Sequence, residues 1–152
     1  MRFPYSKSQI HAAVDTKKHP RDWEPVRFEK SGENSRRSDT ALEREDGKED
    51  RLRLTVRGRM DKPLSYQSSL LLEDQKIRGI DHHAVERRRF YREVSPKGWH
   101  EDVIDPNLVP GEKGHHQRIP LPDFGPSDLM DFLRKACQRW NIELPPTDDA
   151  LL

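Results

Sequence analysis

The sequence predicts an α+β fold: a small antiparallel sheet (hairpin plus two further strands) packed by a C-terminal amphipathic helix, with a disordered N-terminal extension. Three observations predict it. Residues 64–73 place Leu64, Tyr66, Ser68, Leu70 and Leu72 at period two, and Ile77 and Ile80 follow on a return strand beyond Asp74-Gln75, as in a hairpin. Residues 127–141 carry apolar side chains at helical spacing. From Lys30 to Asp50 the apolar residues are Ala41 and Leu42, too few to offset the entropy of ordering that stretch.

Composition narrows the functional classes. The chain has 152 residues, 32% apolar and 36% charged, enough for one ordinary domain or a smaller one with a tail. Its 28 basic and 27 acidic side chains nearly cancel, so no global field points to nucleic acid or membrane. Residues 1–50 hold 11 of each sign, which is not a basic nucleic-acid arm. One cysteine, Cys137, excludes an internal disulfide framework and suits a reducing compartment. No apolar run approaches the about 20 residues of a membrane helix. The opening MRFPYSKSQIHAAV lacks the apolar core of a secretion signal. The expectation is a soluble cytoplasmic protein that uses no cofactor.

The elements follow in order. Ser8 starts two helical turns that Asp15 to Pro20 end. Arg51 to Arg57 alternates leucine or valine with arginine and reads either as an edge strand, because its charged face repels other strands, or as more of the tail. Met60 reads as the start of the functional unit. The domain is placed at 51–146 with its core at 60–144, the extension at 1–50 and an acidic tail at 147–152. Gly79, in the return strand of the hairpin, predicts a bulge or a close approach by other backbone. Ala84 to Val94 is a charged loop or short helix, and Ser95 to Gly98 a turn. Trp99 to Ile104 forms a strand, Asp105 to Gly114 a loop, and His115 to Leu121 a short strand that Pro120 confines to an edge. Ser127 then caps a helix whose stripe is Leu129, Leu133, Ala136, Cys137 and Trp140, with Asn141 closing it.

Five of the seven histidines fall between positions 82 and 116, near strand ends, where they can converge on one rim of the sheet. Three readings stay open. The first is metal-independent RNA cleavage, because histidine suits proton transfer near neutral pH and arginine suits phosphate charge. Its candidate catalytic residues are His82, His83, His115 and His116 with Asp81 and Arg78; Arg87, Arg88, Arg89, Arg92 and Arg118 would hold the nucleic acid, Phe90 and Tyr91 adding stacking faces. The second is a three-ligand metal site from His83, His100 and His116, although no HExxH or paired CxxC spacing occurs. The third is a non-enzymatic module that binds a protein or nucleic acid. The bland alternative for these histidines is hydrogen bonding to surface turns, and for the arginine run a solvated loop. Cys137 lies on the helix stripe and reads as core.

The return-strand motif Arg78-Gly79-Ile80-Asp81, a glycine-containing loop, His115-His116 and the closing helix from Asp128 to Trp140 follow a hairpin in that order. This arrangement resembles the TumE-type toxins of bacterial toxin–antitoxin modules. Ile80 and His82 stand where that family has an aromatic and an asparagine, and the histidines are contiguous where the family has His-x-His. The resemblance implies a small toxin-like protein with an antitoxin partner, expected to be of helix-turn-helix type.

Overall fold

Antiparallel pairing runs through almost the whole chain. The computed structural model describes residues 4–83, 87–88, 94–95, 98–106 and 116–145. The elements are α1 (Lys7–Asp15), β1 (Lys18–Pro20), β2 (Glu29–Lys30), β3 (Ser35–Arg44), β4 (Leu52–Arg59), β5 (Lys62–Leu72), β6 (Gln75–His83), β7 (Arg87–Arg88), β8 (Val94–Ser95), β9 (Gly98–Ile104), β10 (His116–Pro120) and α2 (Leu129–Arg139). One sheet has the order β1-β3-β4-β5-β6-β9-β10, and β2 also pairs with β3, making eight strands. β7 and β8 form a separate two-stranded ladder. The α+β class holds, while the sheet is larger than the four strands expected.

The extra strands come from the segment expected to be disordered. β3 pairs with β4 over eight register positions, from Ser35↔Arg59 to Leu42↔Leu52. Its inward positions are Ser38, Thr40, Leu42 and Arg44, so a mostly polar strand still offers one face to the interior. Upstream, Ser6 and Gln9 form a reciprocal capping box that starts α1, two residues before the serine expected to do so. Ile10, Ala13 and Val14 of that helix are buried. Residues 4–50 are therefore part of the fold, and their burial is supplied by partners far away in sequence.

β4 lies inside the sheet, between β3 and β5, not at its edge. Its arginines do not repel the neighbouring strands because those strands carry acceptors. The Arg53 guanidinium reaches Asp39 on β3 and, at 2.8 Å, Asp74; Arg57 donates to Gln67 on β5 at 2.6 Å. Met60 sits at the tip of the β4–β5 hairpin, where Arg59 pairs with Lys62, so it does not begin a separate unit. The β5–β6 hairpin turns at Glu73-Asp74, one residue earlier than expected, and both residues have positive φ (47° and 67°). That is the two-residue turn whose twist suits a hairpin. The register of the same pair shifts at Ile77, between Leu70↔Arg78 and Leu71↔Lys76, whereas Gly79, where the bulge was expected, pairs regularly with Ser69.

α2 starts at Leu129 with Asp128 as its cap, the Asp128 carboxylate accepting from the Asp131 amide; the expected Ser127 instead donates to Asp131. Its buried side chains are Leu129, Phe132, Leu133, Ala136 and Cys137, followed by buried Trp140. Asn141 takes positive φ (55°) just beyond. These residues join the inward side chains of β3–β6 and those of α1 in one apolar cluster. Ring contacts of Phe132 with Tyr66 on β5 and Trp99 on β9 show which sheet face the helix covers. Of the short strand expected at 115–121, residues 116–120 form β10, at the edge as Pro120 requires. His115 and the acidic tail at 147–152 lie outside the described residues, as does most of 84–94.

Candidate functional site

Strand alternation sends β6 and β9 side chains to two faces, and register decides which of them meet. In the β6–β9 pair Asp81 stands opposite His100, Gly79 opposite Asp102 and His83 opposite Gly98. In the β9–β10 pair Asp102 stands opposite Arg118 and His100 opposite Pro120. Asp81, His83, His100, Asp102 and Arg118 thus share the face turned away from α2. Glu101 and Trp99 project from the other face, toward the helix.

The cluster is tightly connected. The His100 side chain is fully buried, and its Nε2 is in ion-pair contact with Asp81 Oδ1. The same nitrogen lies 3.7 Å from Asp102 Oδ1. His83 Nε2 lies 3.8 Å from the second Asp81 oxygen, and the two imidazoles rest on each other with centroids 4.3 Å apart. Arg118 Nη1 is 3.3 Å from both ring nitrogens of His83, so it lies over the ring and not along one lone pair. Its Nε is 3.1 Å from Asp102, whose other oxygen accepts from Lys76 at 3.0 Å. Lys76 reaches Asp102 by lying across Gly79, where a Cβ would collide with its Cε. That side chain, not another backbone, is the close approach that glycine permits here.

Electrostatics follow the geometry. Burial alone would raise the Asp81 carboxyl, but the His100 contact, helped by His83 and Lys76, outweighs it and holds the group below the ordinary carboxylate value. Burial and the neighbouring His100 both push the His82 imidazole down. The cluster is open to solvent mainly through Asp81, whose side chain is 26% exposed, and Arg118, at 17%.

The expected site residues divide accordingly. Asp81, His83 and Arg118 come together, and they do so on a sheet face instead of a rim. His82 points to the opposite face, its ring edge-on to Trp99 at 5.2 Å, because adjacent strand residues alternate. Arg78 is also on that other face, buried, donating to the Ile77 carbonyl at 2.9 Å. Both are therefore removed from the catalytic set. His115, Arg89 and Arg92 lie outside the described residues, and for Arg87, Arg88 and His116 the described part is their strand backbone. Sequence reasoning missed Lys76, and it grouped Asp102 with Trp99, His100, Glu101 and Asp105 without giving it a role. The signal for Asp102 was present, since it alternates in phase with His100, but its neighbours depend on register across three strands.

No family model, curated protein or solved structure matches this chain. Function must be argued from the cluster itself. A groove of about 1010 Å3 over β3–β5 is a poorer candidate. It sets Arg21, Arg27, Arg37 and Arg57 against Asp22, Glu24, Glu29 and Asp39, and no histidine lines it. No helix among the described residues is long and apolar enough to cross a membrane.

Proposed function

We propose that the chain cleaves RNA by metal-independent acid–base chemistry, as a toxin-like protein whose partner is an antitoxin. The observation that carries the reading is the seating of His83, between the Asp81 carboxylate and the Arg118 guanidinium, in a cluster open to solvent beside it. In this reading the His83 imidazole takes the proton of a ribose 2′-hydroxyl. The 2′-oxygen–phosphorus bond forms, the bond from phosphorus to the 5′-oxygen breaks, and the same proton passes to the leaving 5′-oxygen. Products are a 2′,3′-cyclic phosphate and a 5′-hydroxyl. Arg118 meets the charge on the non-bridging oxygens, and Asp81, braced by buried His100, orients the base. The toxin–antitoxin setting and a cytoplasmic location rest on the sequence resemblance and on cysteine usage.

One observation favours a second, non-enzymatic reading: Asp102 is held by both Lys76 and Arg118, and Asp81 by His100, so the cluster could serve solely to hold β6, β9 and β10 together. The experiment that separates the readings is incubation of the purified chain with single-stranded RNA in excess chelator. Cleavage with 2′,3′-cyclic phosphate ends, lost in Arg118→Gln and blocked by a 2′-deoxy substrate, supports the enzyme. An intact substrate, with Arg118→Gln losing stability alone, supports the structural module.

A further inference from the structure

We infer that Asp81, His83 and His100 form a binding site for a divalent transition metal of the zinc class. One ligand atom from each residue lies within 4.8 Å of the others, and this is the cluster of that kind among the described residues. The three come from adjacent positions of one antiparallel ladder: Asp81 and His83 share a face of β6, and His100 is the cross-strand partner of Asp81. Two imidazoles and one carboxylate are a donor set that suits zinc and leaves a coordination position for water.

A second observation points to a cation independently of that spacing. His100 is fully buried, and its Nδ1 lies 3.4 Å from the Gly98 carbonyl oxygen, which can accept only from an Nδ1–H. In the neutral ring that tautomer leaves Nε2 as a bare lone pair, aimed at the Asp81 and Asp102 carboxylates. His100 Nε2, Asp81 Oδ1 and Asp102 Oδ1, with the Arg118 Nε donor beside the last, are all buried atoms without a hydrogen bond of proper geometry. Facing one another in a buried site, these atoms need a positive charge between them; a second proton on His100, with Arg118 beside Asp102, supplies it in the metal-free chain, and a metal ion can take the place of that proton. An imidazole whose far nitrogen donates to a backbone carbonyl is also the usual arrangement of a metal ligand. The set differs from the one expected from sequence, with Asp81 in the place of His116, because strand register puts that carboxylate against His100.

This inference stands on geometry and does not require that the chain cleave RNA. Where both hold, the ion occupies the lone pair that His83 needs for proton transfer, so zinc inhibits cleavage. The test is titration of the full, chelator-stripped chain with zinc chloride by calorimetry, with cobalt chloride as a spectroscopic probe of coordination. The expected result is one ion per chain, with the visible bands of tetrahedral cobalt. Asp81→Asn and His83→Gln should each weaken zinc by roughly a hundredfold or more, at least the loss seen when a residue that merely hydrogen-bonds a metal ligand is changed. Circular dichroism of these variants confirms that the fold survives, and exposed His11→Ala leaves binding unchanged. No zinc binding by the stripped chain, or binding that persists in both Asp81→Asn and His83→Gln, overturns the inference.

Discussion

Replacing Glu101 by glutamine tests what holds β9, and with it His100 and Asp102, in register. Glu101 is buried on the face opposite the cluster, where Oε1 accepts from Arg139 Nε at 3.0 Å and Nη2 at 2.9 Å, and Oε2 accepts from Trp140 Nε1 at 2.7 Å. An amide of the same shape keeps one acceptor oxygen for these two partners. Turned toward the buried Trp140 N–H, it presents its own N–H2 to Arg139, which is 39% exposed and can swing into water. That loses charge-assisted hydrogen bonds worth about 1.5–3 kcal/mol. The change also removes the negative charge that favours the buried Arg78 guanidinium, whose pKa burial already lowers. The sum is about 3 kcal/mol, within the range for breaking a buried ion pair. In urea unfolding followed by tryptophan fluorescence, the midpoint should fall by roughly 1–2 M with the slope unchanged. A midpoint within about 0.3 M of the parent would refute the reasoning.

Other predictions concern the parts of the fold that seat the site. Lys18 is fully buried, its ammonium donating to the Val14 and Thr16 carbonyls at 2.7 and 2.8 Å, and desolvation lowers its pKa from 10.5 to about 8. Between those values the unfolded chain holds the proton that the folded chain has lost, so stability rises with pH, by at most about 3 kcal/mol. Buried Cys137, pushed up from 9.0 to about 12, acts in the opposite sense above pH 9, because there the unfolded chain loses its thiol proton first. Urea stability in the parent should therefore climb from pH 8 to 9 and then level off; in Cys137→Ala it should keep climbing, and a flat Cys137→Ala profile would refute the assignment. Deleting residues 1–59 removes α1 and β1–β4, half of the main sheet, and strips β5 of one of its two neighbours, so circular dichroism should show no cooperative unfolding; a folded fragment would contradict the described sheet. Gly58→Ala places a Cβ against the Tyr66 ring and 3.1 Å from its Cα, and should cost about 1–3 kcal/mol in the same urea assay, whereas no loss would show that the strand yields there.

How legible these features were depends on the range of the interactions behind them. The α2 stripe and the β5–β6 hairpin are local patterns, and each appears close to its expected limits. β3 gave no such pattern, because Ser38 and Thr40 occupy its inward positions and buried Arg44 is balanced by Asp46 and Asp50. Polarity there is compensated by partners, and a count of apolar residues does not see partners. The site shows the same division. Alternation alone indicates that His82 and His83 point to opposite faces. Which of them meets His100 is decided by the β6–β9 register, across a connection of which the described residues show only the two short strands β7 and β8.

The central claim is tested most directly by comparing two adjacent histidines. Initial rates of cleavage of one single-stranded RNA are measured in excess chelator for the parent, His82→Gln and His83→Gln, each checked for intact fold. The account predicts a drop of about 10²–10⁴-fold for His83→Gln, the typical contribution of a positioned general base, and a rate near that of the parent for His82→Gln. Equal effects of the two substitutions, or a larger loss at His82, would contradict it.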